Sequence, residues 1–143
     1  MLSNGVKISV LSSPHATGQY TQNGTPLDME GFEGVLFLVL ITASLNTGTF
    51  TLQANGNTIS STSGMTLFNE GTSAATAGSD GALNDNVLAL DIYKPLERYI
   101  IPQVVTAVAN GAIGEIIAIQ YGPRTKPTVQ PAAVQDLTQL ISP

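Results

Sequence analysis

Side chains able to do chemistry are few in this sequence, and they are widely spaced. The single histidine, His15, sits in SSPHATG next to Ser12 and Ser13. Nucleophilic catalysis would need a serine hydroxyl against that imidazole and an acid to orient it. No G-x-S-x-G elbow supplies one, so His15 reads as a loop histidine. One histidine and no cysteine cannot build the N/S shell of a zinc site.

Asp28, Glu30 and Glu33 cluster in LDMEGFEG. Such a group can serve general acid–base work or hold Ca²⁺. Here it flanks a long apolar run, where charges keep a sticky strand from pairing wrongly. The segment SDGALNDN (79–86) also carries acids but lacks the D-x-[DN]-x-[DN]-G-x5-E spacing of a calcium loop. No P-loop or dinucleotide fingerprint is present. The expectation is a protein that is not an enzyme, with no cofactor and no metal.

The composition narrows the partners. The chain has 143 residues, enough for one domain with a real core. Charged residues make up only 10%, and Thr, Ser, Asn, Gln and Gly take their place. A net charge of −5 argues against nucleic acid, which needs clustered Lys and Arg. The basic residues Lys7, Lys94, Arg98, Arg124 and Lys126 form no longer run than Arg124–Lys126. No apolar run approaches the ~20 residues of a membrane-spanning helix. MLSNGVKISV shows no signal-peptide pattern. A soluble, non-secretory chain is expected, with neither nucleic acid nor membrane as a partner.

The elements that must position these residues are strands. VKISVL (6–11) reads as a short strand, followed by turn chemistry through residue 26. GVLFLVLITA (34–43) is of strand length and bounded by Gly34 and Asn46–Gly48. Its centre, Val35 to Ile41, is apolar on both faces, although a half-exposed strand should alternate. One set, Val35, Phe37, Val39 and Ile41 or its alternate, should line the core. The other, Leu36, Leu38 and Leu40, needs a cover: a neighbouring subunit, the terminal arm or a second layer.

TFTLQANGNTIS (49–60) suggests a hairpin turning at Asn55-Gly56. Residues 61–86 form a polar excursion with an apolar island at Met65–Phe68, and VLALDIY (87–93) is a strand. RYIIPQVVTAV (98–108) and IGEIIAIQY (113–121), joined through Ala109-Asn110-Gly111, suggest a long hairpin. Pro102 should mark an edge or irregularity in the first of these strands.

Several short strands with Gly/Asn turns and no domain-building helix predict an all-β sandwich. The domain covers 1–122, with 1–12 as an N-terminal arm or strand. A proline-rich arm, 123–143, ends in AAVQDLTQLIS, where Val134, Leu137, Leu140 and Ile141 share one face of a short helix. The terminal segment should dock on its own sandwich or on a neighbouring subunit, and both arms are expected to reach neighbours.

Three segments resemble a family. GFEGVLFLVLITASLNTGTFTLQANGN is similar to a G-[FY]-[ED]-x-V-x-F strand leading into a GTFTL-x-L-Q strand. ERYIIPQVVTAV is similar to a K/R-R-Y-V-R-P-x-V-T strand. GAIGEIIAIQYGPRTKP is similar to a V-x-A-V-x-x-G-x-P-R-x-x-P closing strand and arm. In this order, over roughly residues 28–128, they resemble the capsid decoration, or cement, proteins of tailed bacteriophages. Gln53-Ala54-Asn55-Gly56-Asn57 departs from that pattern where an E-S-D-D-G turn is usual, and the 61–86 excursion is longer and more neutral.

The resemblance implies an antiparallel jelly-roll-like or immunoglobulin-like β-sandwich on the outer surface of an HK97-type capsid, made in the bacterial host cytoplasm. Its partners would be the major capsid protein and itself, as a homodimer before a homotrimer. Arg98, Tyr99 and Pro102 fall on the R-Y-x-x-P positions, and Gly122, Pro123 and Arg124 on G-P-R. The subunit and capsid interface is accordingly expected at Leu36, Leu38, Leu40, Arg98, Tyr99, Arg124, Val134, Leu137 and Leu140. The alternative is a carbohydrate- or receptor-binding β-sandwich of a phage tail or fibre, for which exposed aromatics would be needed. Aromatics are only 6% here, with no Trp, which weakens it.

Overall fold

The computed structural model describes residues 2–68, 72–126 and 128–134. After a 3-10 turn at Leu2–Asn4, the chain runs through β1 (Val6–Val10), β2 (His15–Gly18), β3 (Thr21–Asn23) and β4 (Leu27–Asp28). Then come β5 (Gly34–Ser44), β6 (Thr49–Asn57), β7 (Thr66–Leu67) and β8 (Ser73–Thr76). The last three strands are β9 (Val87–Tyr93), β10 (Tyr99–Ala107) and β11 (Gly111–Tyr121). Among the described residues no helix is long and apolar enough to cross a membrane.

The strands form two antiparallel sheets. Sheet A runs β1-β11-β5-β9 with β2 also on β11; sheet B runs β3-β10-β6-β7, with β4 on β10 and β8 on β6. Long strands adjacent in sequence thus alternate between sheets, the pattern of a jelly-roll-like sandwich rather than an immunoglobulin one. The core lies between the sheets. Val35, Phe37, Val39 and Ile41 of β5, each at most 1% exposed, meet Phe50, Leu52, Ile100 and Val104 of sheet B. Alternation in β5 therefore resolves one of the two expected sets into the core and turns Leu36, Leu38 and Leu40 outward.

Two expected hairpins are not hairpins. Asn55 and Gly56 lie inside β6, paired with Ile101 and Ile100 of β10. Gly56 is needed there because the Phe68 ring packs where a Cβ would stand. The chain leaves the strand only after Asn57, whose Nδ2 donates to the carbonyls of Ser61 (2.8 Å) and Ser63 (2.9 Å). Likewise β10 and β11 do not pair with each other: β10 pairs with β6 in sheet B and β11 with β5 in sheet A. Residues 108–110 arch across the end of the core, Val108 taking a positive φ of 70°. A hairpin and an arch leave the same alternation in sequence, because only the partner differs.

Pro102 faces a local break in the ladder, between β3 and β4. It sits in the unbroken central strand β10, opposite Ala54. Its carbonyl accepts from the Gly24 N–H (2.8 Å), so its nitrogen faces the same side, where β3 ends and β4 has yet to begin. No ladder bond to β6 is lost. The 61–86 excursion contributes β7 and β8 as short additions to β6.

Candidate interaction surface

Sheet register assembles the outward face of sheet A row by row, since paired residues point to the same side. One row is Ile8, Ile119, Leu36 and Asp91. The next is Val10, Ile117, Leu38 and Ala89. Leu40 and Val87 extend the face beyond it. At the other end Val6, Tyr121, Gly34 and Tyr93 lie in line. The face is apolar across all four strands. Its β9 side is the most open, with Val87 56% and Tyr93 58% exposed, while Leu36 and Leu38 are half-buried. Contiguous apolar area of this kind is unusual on a surface that meets only water.

One polar link crosses this face. The Tyr121 ring lies over Gly34, where a Cβ would fall within the ring, and its hydroxyl donates to Asp91 Oδ1 at 2.7 Å. Burial first, then the hydrogen bond to and charge of Asp91, push the phenol up to about 12 from 10.0. The link bridges β11 to β9 across β5.

The outward face of sheet B is different in kind. Thr51 and Val105 lie beside Thr21, and Thr49 beside Thr76. Gln53, Gln103 and Asn23 form a cross-strand ladder in which Gln53 Nε2 donates to Gln103 Oε1, and Gln103 Nε2 to Asn23 Oδ1 at 2.7 Å. This face is finished for water.

Of the expected interface residues, Leu36, Leu38 and Leu40 stand together on the outward face of sheet A. Arg98 and Tyr99 stand at the pole of the sandwich instead. Arg98 Nε and Nη2 grip Asp28 (3.0 and 2.9 Å), Nη2 also meets Glu30 at 2.6 Å, and the guanidinium lies 5.2 Å from the Tyr99 ring centre. The Arg98 fork holds the Asp28 carboxyl below its ordinary range. Asp28 also accepts the Glu30 N–H at 3.0 Å. Two members of the acidic cluster are thus tied into a fold contact. Arg124 is exposed beside that pole, its N–H donating to the Gly31 carbonyl at 2.9 Å. Val134 is half-buried at the end of the described arm, and Leu137 and Leu140 lie outside the described residues.

Other candidates prove structural. His15 stacks on Tyr20 with ring centres 3.4 Å apart. In the 79–86 segment, Asp80 accepts the Asn46 N–H at 2.8 Å and Asn84 the Ser44 N–H at 2.9 Å. The segment secures the end of β5. Among the described residues, no three His, Cys, Asp or Glu side chains come together as metal ligands. A groove of about 420 Å³ between β9 and β7, with Leu67, Phe68, Ile92 and Leu96 on its walls, has Asp91 and Lys94 as its charged groups among the described residues. Asp91 is already bonded to Tyr121, so the described residues supply no converging set of polar groups there.

The strand expected over 6–11 is present as β1, and over its described length the C-terminal arm packs on the chain's own edge. Residues 6–10 are edge strand β1 of the chain's own sheet, and the C-terminal arm runs back along that edge. The Ile8 N–H donates to Gln130 Oε1 (2.9 Å), while Gln130 Nε2 (2.7 Å) and Thr128 Oγ1 donate to the Val6 carbonyl. A glutamine amide here completes the unpaired side of an edge strand as a further strand would. Sequence reading missed this clamp, as it missed Ile117, Ile119 and Val87 on the apolar face. The latter had a legible signal: IIAI in β11 is apolar at consecutive positions, as β5 is.

No protein-family model matches the chain, and no curated protein matches it in sequence. Among solved structures, that of Eiger TNF from S. frugiperda is similar at 14% identity, with a TM-score of 0.42 over 96% of this chain and 92% of that one. So distant a likeness carries no functional argument.

Proposed function

We propose that this is a structural virion protein, a decoration or cement protein that binds the major capsid protein on the outer shell of a tailed phage and strengthens the head through repeated contacts. The observation that supports this reading is the outward face of sheet A, apolar across four strands and opposed to a polar outward face on sheet B. A molecule with one apolar and one hydrophilic broad side is suited to lie on a surface. Many weak copies of such a contact gain from multivalency on a symmetric lattice.

The resemblance adds the R-Y-x-x-P and G-P-R segments, which here build the pole of the sandwich. The open β9 margin of the apolar face, with Leu40, Val87 and Tyr93, would carry the contact to the capsid or to another copy. The test is co-sedimentation with empty phage heads, together with light scattering of the isolated protein. Self-association and capsid binding are the expected results. A monomer that stays in the supernatant would sink the proposal, and binding on a glycan array would favour the tail- or fibre-module reading instead.

A further inference from the structure

We infer that β9 pairs antiparallel with β9 of a second copy, joining the two A sheets edge to edge about a two-fold axis. The inference deepens the capsid reading and rests on it only for what the doubled face then meets. Its first support is the contrast among the sheet edges. Soluble sheets protect unpaired backbone with short edge strands, bulges, charges or a covering segment. On sheet B, β4 and β7 have two residues each, β3 three and β8 four. On sheet A, Gln130 and Thr128 clamp the β1 edge. β9 differs: it is seven residues long, in unbroken register with β5, and the end strand of its sheet. Its sequence, VLALDIY, has no proline, glycine or lysine.

The backbone shows which groups are open. The Ile41 N–H donates to the Asn86 carbonyl (2.8 Å) and the Lys94 N–H to the Glu33 carbonyl (2.7 Å), so even-numbered positions here bond to β5. The N–H and C=O of Val87, Ala89, Asp91 and Tyr93 therefore point away from β5. Among the described residues nothing pairs with them. Asp91, the one charge in the strand, is drawn back over β5 by its bond to Tyr121.

Register then favours a second copy of the same strand. With Val87 opposite the partner's Tyr93 and Ala89 opposite the partner's Asp91, every edge-facing residue both donates and accepts. The exposed Val87 and Tyr93 side chains (56% and 58%) become aromatic–β-branched neighbours across the new ladder. Slipping one way brings the Asp91 carboxylates of the two copies face to face, and like charges so placed repel. Slipping the other way leaves Tyr93 without a partner. A two-fold contact of this kind uses both free edges and closes. Paired residues point to the same side of a sheet, so the apolar faces of both copies look the same way and form one broader surface.

The test is amide exchange by NMR in the full chain as its concentration rises, with sedimentation equilibrium alongside. The Val87, Ala89, Asp91 and Tyr93 amides should exchange about tenfold or more slowly once the protein self-associates. Leu88, Leu90 and Ile92, which β5 protects in the single chain, should not share that dependence. Ala89→Pro removes an N–H that the chain's own ladder does not use. It should keep the circular dichroism of the fold and weaken self-association about tenfold or more. Self-association without protection of those amides would overturn the inference, as would a chain that stays monomeric throughout. Protection that appears only on adding empty heads would also overturn it, assigning the edge to a strand of the capsid protein. If the Ala89→Pro chain does not fold, the alternating exchange pattern of the unaltered protein decides alone. Co-sedimentation separates the two readings. A monomer that pellets with heads removes the inference and keeps the capsid reading, while a β9-paired dimer left in the supernatant does the reverse.

Discussion

The outward faces of sheets A and B are built from strands of similar length and a shared stock of β-branched residues, yet one is finished and the other is not. On sheet B the outward positions of β6 are Thr49, Thr51, Gln53, Asn55 and Asn57, paired with Ala107, Val105, Gln103, Ile101 and Tyr99 of β10, and the Gln53 and Gln103 amides bond to one another across the strands. On sheet A the equivalent positions of β5 and β11 are Leu36, Leu38, Leu40, Ile117 and Ile119. Among the described residues, the Tyr121–Asp91 link ties that face together through polar atoms. Inward, both sheets follow the same rule and contribute aliphatic and phenyl side chains to one core. The difference teaches that alternation is obeyed toward the core in both sheets, and that the outward side records what each sheet meets.

The contrast can be broken most strongly at matched exposed positions. Val87→Asp on sheet A and Thr76→Asp on sheet B each place a carboxylate on an outward margin. Both should leave the denaturation midpoint within about 0.5 kcal/mol. Capsid co-sedimentation should weaken about tenfold or more for Val87→Asp, as for loss of an apolar interface anchor, and stay unchanged for Thr76→Asp. Equal effects at the two sites would erase the functional distinction between the faces.

Gly34→Ala tests the Tyr121 bridge. The added methyl collides with the ring over the strand, and a loss of about 1–3 kcal/mol in urea melts is expected, as for overpacking. Gly78→Ala is the control: an added methyl there meets nothing within 4 Å, the backbone has no positive φ, and the change should stay within about 0.5 kcal/mol. On the polar face, Gln103→Ala removes the centre of the amide ladder and should cost about 0.5–1.5 kcal/mol.

The smallest effect is in alkali. The folded Tyr121 phenol holds its proton up to about 12, above its ordinary 10.0. Between those values the folded state binds more protons than the unfolded one, so stability falls as pH rises through that window. Tyr121→Phe should flatten this limb of the stability profile. An unaltered slope would mean that the Tyr121 phenol plays no part in it. At the acid end the sign reverses. The depressed Asp28 carboxyl contributes stability that is present above its ordinary 3.8 and lost as pH falls through its folded value, and Asp28→Asn should remove that dependence.

Much was legible in the chain itself. The strand over 34–43 and the strands at 87–93 and 98–108 follow from residue type and order. So does the claim that β5 is greasy on both faces. The all-β sandwich follows from short strands and turn residues without a domain-building helix. These are local properties, set by side-chain branching, alternation and backbone freedom at glycine, and they need no partner to be read.

What tertiary structure alone decided is which strand lies beside which. Asn55-Gly56 has the chemistry of a tight turn but lies in mid-strand, because pairing with β10 and packing of Phe68 override the local preference. The 98–121 pair arches between sheets instead of folding back, since burial on both inner faces is satisfied only across the core. Arg98 finds Asp28 across 70 residues, and Gln130 finds β1 across 122. Alternation specifies a strand and its faces, but a long-range partner is chosen by the whole set of strands at once. That is why the apolar character of Leu36, Leu38 and Leu40 could be read from sequence, while the breadth of the face they belong to could not.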